Sequence, residues 1–230
     1  VSPMKSITFT TGEFKEEKTS AWLVSFIKAA EHTTVFSLLK DVAVKLKEVK
    51  YTAADKLSTL ICSVAMGCSY TSDVNDKLVP DTVASRMLGM ERFPDQSQLN
   101  IALKRLTGEN ITQLKQIHHK LFVENSTCAS SGKPVVVDID QTGLIANGKN
   151  FELADKGYFP RKRNNRGYQV SAAFCGDTGE TLSMYLDSGN AHSQTRMVDM
   201  LKDVIAKIPS ESLILRADSA FGSAESISIL

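Results

Sequence analysis

Between residues 19 and about 124 the apolar positions recur with the period of a helix. Leu57, Leu60, Ile61, Val64 and Ala65 fall at i, i+3, i+4, i+7 and i+8, and Leu99, Leu103 and Leu106 repeat the stripe. Turn signals separate these helices, notably Pro80-Asp81 and the segment FPDQS at 93–97, where Asp95 or Ser97 can cap the helix that follows. The stretch NSTCASSGKP, 125–134, is rich in small polar residues and predicts a linker. Beyond it the period falls to two. Residues 135–142 read as a buried strand, 168–175 alternate through Tyr168, Val170, Ala172 and Phe174, and 180–186 alternate through Leu182, Met184 and Leu186. GDTG, 176–179, is a hairpin turn by its glycines and aspartate, so the second and third strands are expected to pair antiparallel. Near Ser193 a helix opens with the stripe Met197, Leu201, Val204, Ile205 and Ile208, and after Pro209 a last strand, SLILRAD, runs to Asp218. The expected organisation is a helical domain over 1–130 and a mixed α+β or α/β domain over 131–230, built as a three-stranded meander, a helix and a fourth strand.

Composition narrows the class without choosing a function. With 230 residues and 42% hydrophobic content the chain can bury a proper core. A net charge of +1 supplies no global field toward nucleic acid or an acidic membrane, so any DNA binding must come from local patches. The longest nearly uninterrupted apolar run, LICSVAMG at 60–67, is far short of the roughly 18–20 residues of a membrane helix. The N-terminus VSPMKSITF lacks a signal-peptide core, and a cytoplasmic location is expected. Four cysteines without a C-x-x-C pair and four histidines without ligand spacing argue against a zinc site and a disulfide framework.

The chemistry concentrates in VVVDIDQTG, 135–143, where β-branched residues lead into two carboxylates one residue apart, followed by Thr142. Two enzyme classes fit these nine residues. In haloacid-dehalogenase-like phosphatases a D-x-D-x-T motif uses its first aspartate, here Asp138, as nucleophile and its second, Asp140, as acid/base. That fold is doubly wound, so a crossover to a parallel strand should follow, and a late acidic pair should complete the site. Here a tight hairpin follows, and residues 218–222 read DSAFG. The other class is the ribonuclease-H-like core, whose strand order is the one read above, and in which an acid on the first strand meets an acid ending the fourth. Asp140 and Asp218 occupy those places. Two converging carboxylates suit two-metal phosphodiester chemistry.

The chain resembles the DDE transposases of bacterial insertion sequences. The resemblance runs through FPDQSQLNIALKRL, DIDQTG, KGYFPRKRNNRGYQ, GDTGETLSMYLDSGNAHS and LILRADSAFGS, in that order. It implies that Asp140, in D-Q-T, and Asp218, in R-A-D-S, are catalytic acids binding Mg²⁺ or Mn²⁺. Asp138, on the same strand face as Asp140, is a supporting or alternative ligand. It also implies DNA partners, transposon terminal repeats and target DNA, handled by a homodimer. The family's third acid, a glutamate on a later helix, has no counterpart before Leu230, since Glu225 lies only seven residues past Asp218. The chain therefore looks C-terminally truncated, and an inactive fragment is expected. A catalytically dead DNA-binding module is a further reading.

Two stretches are candidates for DNA contact. Lys156, Arg161, Lys162, Arg163 and Arg166 form an acid-free basic run interleaved with Tyr158, Phe159 and Tyr168, able to track phosphates and stack on bases. In the helical half, Gln96, Ser97, Gln98, Asn100 and Lys104 are polar positions on a possible DNA-reading helix. His192, beside a helix start, reads as a cap or surface residue.

Overall fold

The computed structural model describes residues 19–47, 50–130, 132–146, 150–157, 159, 165–208, 213–222 and 228. The chain divides into two compact units, one ending at His118 and one beginning at His119. This division lies upstream of the small polar stretch at 125–134.

The first unit is helical. Helices α1 (Ala21–Glu31), α2 (Val35–Leu38), α3 (Ala53–Ala65), α4 (Asp73–Lys77), α5 (Thr82–Met87), α6 (Gln96–Arg105) and most of α7 (Gly108–Asn125) belong to it. Their starts are written in side chains. Thr52 and Asp55 form a reciprocal capping box on α3, and Asp95 caps α6 by accepting from the Gln98 amide at 3.1 Å. Buried Asp81, in the expected turn, accepts from the amides of Ser20 and Ala84 and so serves the starts of α1 and α5 together. One core gathers Leu23, Ile27, Cys62, Val74, Leu78, Phe93 and Leu99, and a second gathers Leu39, Val42, Val44, Ala53 and Leu57.

The expected helical stripes hold only in part. Leu57 is buried, but Val64 is 77% exposed, and Cys62 takes the inward place. On α6, Leu99 and Ala102 are buried while Leu103 faces out. In both helices a small residue at the right angle packs inward where a larger one nearby cannot turn to the core.

The second unit is built around a sheet. Its strands are β1 (Val135–Ile145), the two-residue β2 (Asp155–Lys156), β3 (Arg166–Cys175), β4 (Thr181–Ser188) and β5 (Leu213–Ala217). β1 is central, antiparallel to β3 and parallel to β5, and β3 pairs onward with β4 and β2. The meander, the turn at 176–178 and the return to a strand beside β1 match the expected order. An antiparallel neighbour directly after β1 is incompatible with the doubly wound phosphatase fold, so that reading is set aside.

Helix α9 (Met197–Ile205) covers one sheet face. It buries Met197, Met200, Leu201 and Val204, with Ile208 just beyond, against Val135, Val137, Ile139, Ala173, Cys175 and Leu182. Asp203 adds a polar tie, accepting from the hydroxyls of Ser183 at 2.6 Å and Tyr185 at 2.9 Å. The expected linker contains instead a short helix, α8 (Thr127–Ser130), with Cys128 in the core. Glu180, at the β3–β4 hairpin, holds it by accepting from Ser126, Thr127 and Cys128.

Backbones meet closely where Gly157 faces Gly189. A β-carbon on Gly157 would lie 1.6 Å from the Gly189 carbonyl oxygen, so no side chain fits.

Candidate active site

Alternation along β1 puts Val137 and Ile139 toward α9 and leaves Val136, Asp138 and Asp140 on the opposite face. The parallel ladder with β5 pairs Asp138 with Arg216 and Ile139 with Ala217. The ladder ends there, and Asp140 and Asp218 are the next residues along the two chains. Asp218 is still extended (φ −63°, ψ 151°) before the chain turns into a 3-10 segment, Ser219–Phe221. Two acids 78 residues apart in sequence thus follow directly on the last paired residues of neighbouring strands, Asp140 within β1 and Asp218 just past the end of β5.

Both acids are exposed. Asp140 Oδ1 accepts from the amide of Gln141 at 2.7 Å, and Asp218 Oδ1 accepts from the Ser219 hydroxyl at 3.0 Å. Asp138 sits differently. Its two oxygens receive Arg216 Nε at 2.6 Å and Nη2 at 2.7 Å, a bidentate fork that holds its carboxyl below the usual carboxylate range. Gly176 packs against this pair, where a β-carbon would lie 3.0 Å from Asp138 Oδ2.

Asp140 and Asp218 suit a hard divalent cation in the chemistry of their donors, two exposed carboxylates. Asp138 suits it less, because the guanidinium already occupies both of its oxygens. Among the described residues no group of three or more His, Cys, Asp or Glu side chains converges as a metal site.

The basic run is resolved into separate parts. Lys156 is exposed on β2. Arg166 donates through Nε to the Ala154 carbonyl at 2.8 Å and lies 3.7 Å from Asp155, so it also braces the β2–β3 turn. Arg161, Lys162, Arg163 and Tyr158 lie outside the described residues. Phe159, read as a base-stacking ring, is instead 5% exposed and lies over Gly143. Its apolar ring gains more from the sheet than from water. Gln98 is in the first turn of α6 and Lys104, exposed, in its last. His192 caps the 3-10 turn Ser193–Arg196, its Nδ1 accepting from the Gln194 amide at 3.3 Å.

The residue that sequence reading missed at this site is Arg216. Its signal was present: it stands two positions before Asp218, and on a strand that spacing puts both on one face.

A family model described as "Transposase DDE domain group 1" matches residues 28–230. The chain belongs to this DDE transposase family. No curated protein matches it. A solved structure, the Mos1 transposase paired-end complex with left transposon end, aligns with 9% identity and a TM-score of 0.28. That alignment covers 83% of this chain and 60% of the Mos1 chain. The topology of the transposase domain rests on its own strand pairing rather than on that overlay.

Proposed function

We propose that this domain carries part of the catalytic centre of a DNA transposase, acting by metal-dependent phosphodiester hydrolysis at transposon ends and strand transfer into target DNA. The observation that supports the reading is the parallel β1–β5 ladder, whose last pair, Ile139 and Ala217, immediately precedes Asp140 and Asp218. In this reading Asp140 and Asp218 hold Mg²⁺ or Mn²⁺. Bound there, the cation supplies acidification of the attacking water or hydroxyl and charge neutralisation at the leaving oxygen. The pairing of β1 with β5 up to Ile139 and Ala217 holds the main chains that lead into the two acids side by side before any cation arrives. Asp138 is a positioning residue through Arg216, and their fork makes a near-neutral pair on the face where a phosphodiester would approach. The exposed basic positions Lys156 and Arg166, with Arg161, Lys162 and Arg163, are assigned to the DNA backbone. The partners are terminal repeats and target DNA, with a homodimer holding paired ends.

Titration with Mn²⁺, followed by electron paramagnetic resonance, tests the site: Asp140→Asn and Asp218→Asn should each weaken binding at least tenfold, while Asp138→Asn should not. Equal loss in all three variants, or no binding by the wild type, would overturn the assignment.

A further inference from the structure

The helical unit contains a cavity of about 710 Å³ that the site above does not use. Six cationic side chains line it: Lys45, Lys47 and Lys50 from the segment before α3, Lys56 from α3, Arg92 before α6 and Arg105 at its end. The single acid in the lining is Asp95, and its carboxylate is committed to the helix, accepting from the Ser97 hydroxyl at 2.6 Å and the Gln98 amide. Lys50 has an exposed partner in Glu91 at 3.6 Å, a solvated pair that holds it weakly. The cavity is thus cationic in excess even though the chain as a whole is almost neutral.

Lys56 decides what the cavity is for. It is 2% exposed, yet its ammonium has no hydrogen bond or ion pair among the described residues. No buried side-chain nitrogen or oxygen among the described residues is sealed off without a partner, so this ammonium opens onto the cavity it lines. The stem of Lys56 is buried while its ammonium faces solvent inside the cavity, so the charge is held in place and open to an anion. The walls are not purely ionic. Tyr51 and the half-exposed Ile101 also line the cavity, giving a flat apolar surface beside the cations. The volume is that of a site for a drug-sized group, well beyond a lone inorganic anion.

We propose that this cavity seats a phosphodiester segment of a nucleic-acid strand, with Lys56 as its buried anchor, the other cations along the backbone and Tyr51 against a sugar or base. It rests on the transposase reading in one respect, that the ligand is DNA. It shifts the helical unit's main DNA contact from the outer face of α6, where Lys104 lies, to the cavity that Gln98 helps to line.

The test uses the full chain and a fluorescein-labelled DNA duplex of arbitrary sequence, read by anisotropy over a series of KCl concentrations. Lys56→Met, which keeps the buried stem and removes the charge, should weaken binding severalfold. The exposed double variant Lys47→Ala/Lys50→Ala should flatten the plot of log K against log salt by about 0.9 for each phosphate no longer neutralised, about 2 for the pair. Wild-type affinity and slope in both variants would overturn the cavity proposal. That result would leave the transposase reading standing, since Mn²⁺ binding at Asp140 and Asp218 is measured separately. If pyrophosphate stabilises the wild type but not Lys56→Met, and duplex DNA is not bound, the cavity is a small-anion site and the nucleic-acid assignment fails. Should Lys56→Met not fold, the double variant, altered only at the cavity rim, decides the matter alone.

Discussion

Replacing Glu180 by glutamine removes one charge and almost no volume at the junction of the β3–β4 hairpin with α8. In the native structure Oε2 accepts from the Ser126 hydroxyl at 2.7 Å and the Cys128 amide at 3.2 Å, and Oε1 accepts from the amide and hydroxyl of Thr127 at 3.0 and 3.1 Å. A glutamine can keep one of these oxygens, but its NH₂ then confronts donors. The Ser126 hydroxyl can rotate and accept, whereas the Cys128 amide loses its acceptor. Stranding one backbone donor in a largely buried place, together with the lost charge assistance, costs about 2 kcal/mol. For a unit of this size each kcal/mol moves the midpoint by about 4 °C, so Glu180→Gln should melt about 8 °C lower in scanning calorimetry at neutral pH.

The pH dependence checks the cause. Burial pushes the Glu180 carboxyl up, and the bonds from Ser126, Thr127 and Cys128 overcome it, leaving the carboxyl below its ordinary 4.5. A native value below the unfolded one means that the stabilisation is complete above the unfolded value and is lost as pH falls through the native one. The gap between wild type and variant should therefore be full at neutral pH and close below pH 4.5. An unchanged midpoint at neutral pH, or a gap that persists undiminished to about pH 3, would refute the reasoning.

Three further outcomes are expected. Gly157→Ala should cost about 1–3 kcal/mol of stability through the clash with the Gly189 carbonyl, with faster amide exchange at Gly167, paired to Asp155 across β2 and β3. Asp203→Ala strips Ser183 and Tyr185 of a shared acceptor; the Tyr185 phenol, its ionisation pushed well up by burial and then by Asp203, should titrate at lower pH when followed by ultraviolet absorbance. Thr52→Ala opens the α3 capping box and should lower stability by about 1 kcal/mol in urea denaturation.

The strands and their order were legible because period-two alternation and the GDTG turn are local signals, and the structure follows them from β1 to β5 within a few residues. Asp95 as a cap was legible for the same reason. What escaped was long-range. Nothing in NSTCASSGKP shows that Glu180, fifty residues on, converts a polar stretch into a short anchored helix with Cys128 in the core. Helix stripes told of amphipathicity but not its angle, so Val64 was turned the wrong way. The acids at 140 and 218 could be named, yet the fork between Asp138 and Arg216 depends on a register between strands far apart in sequence. The basic cavity escaped for a similar reason: only the fold brings Lys45, Lys47 and Lys50 to the same cavity as Lys56, Arg92 and Arg105.

The fork between Asp138 and Arg216 also bears on how the domain can be prepared. Carboxylates crowded at a strand end ordinarily repel one another and make folding wait for a cation. Here the protein carries its own counter-ion: Arg216 neutralises Asp138 within the sheet and shares a face with Asp140. Assembly of the sheet is therefore expected not to depend on a cation, and the far-ultraviolet circular dichroism of the domain should be the same in EDTA as in Mn²⁺.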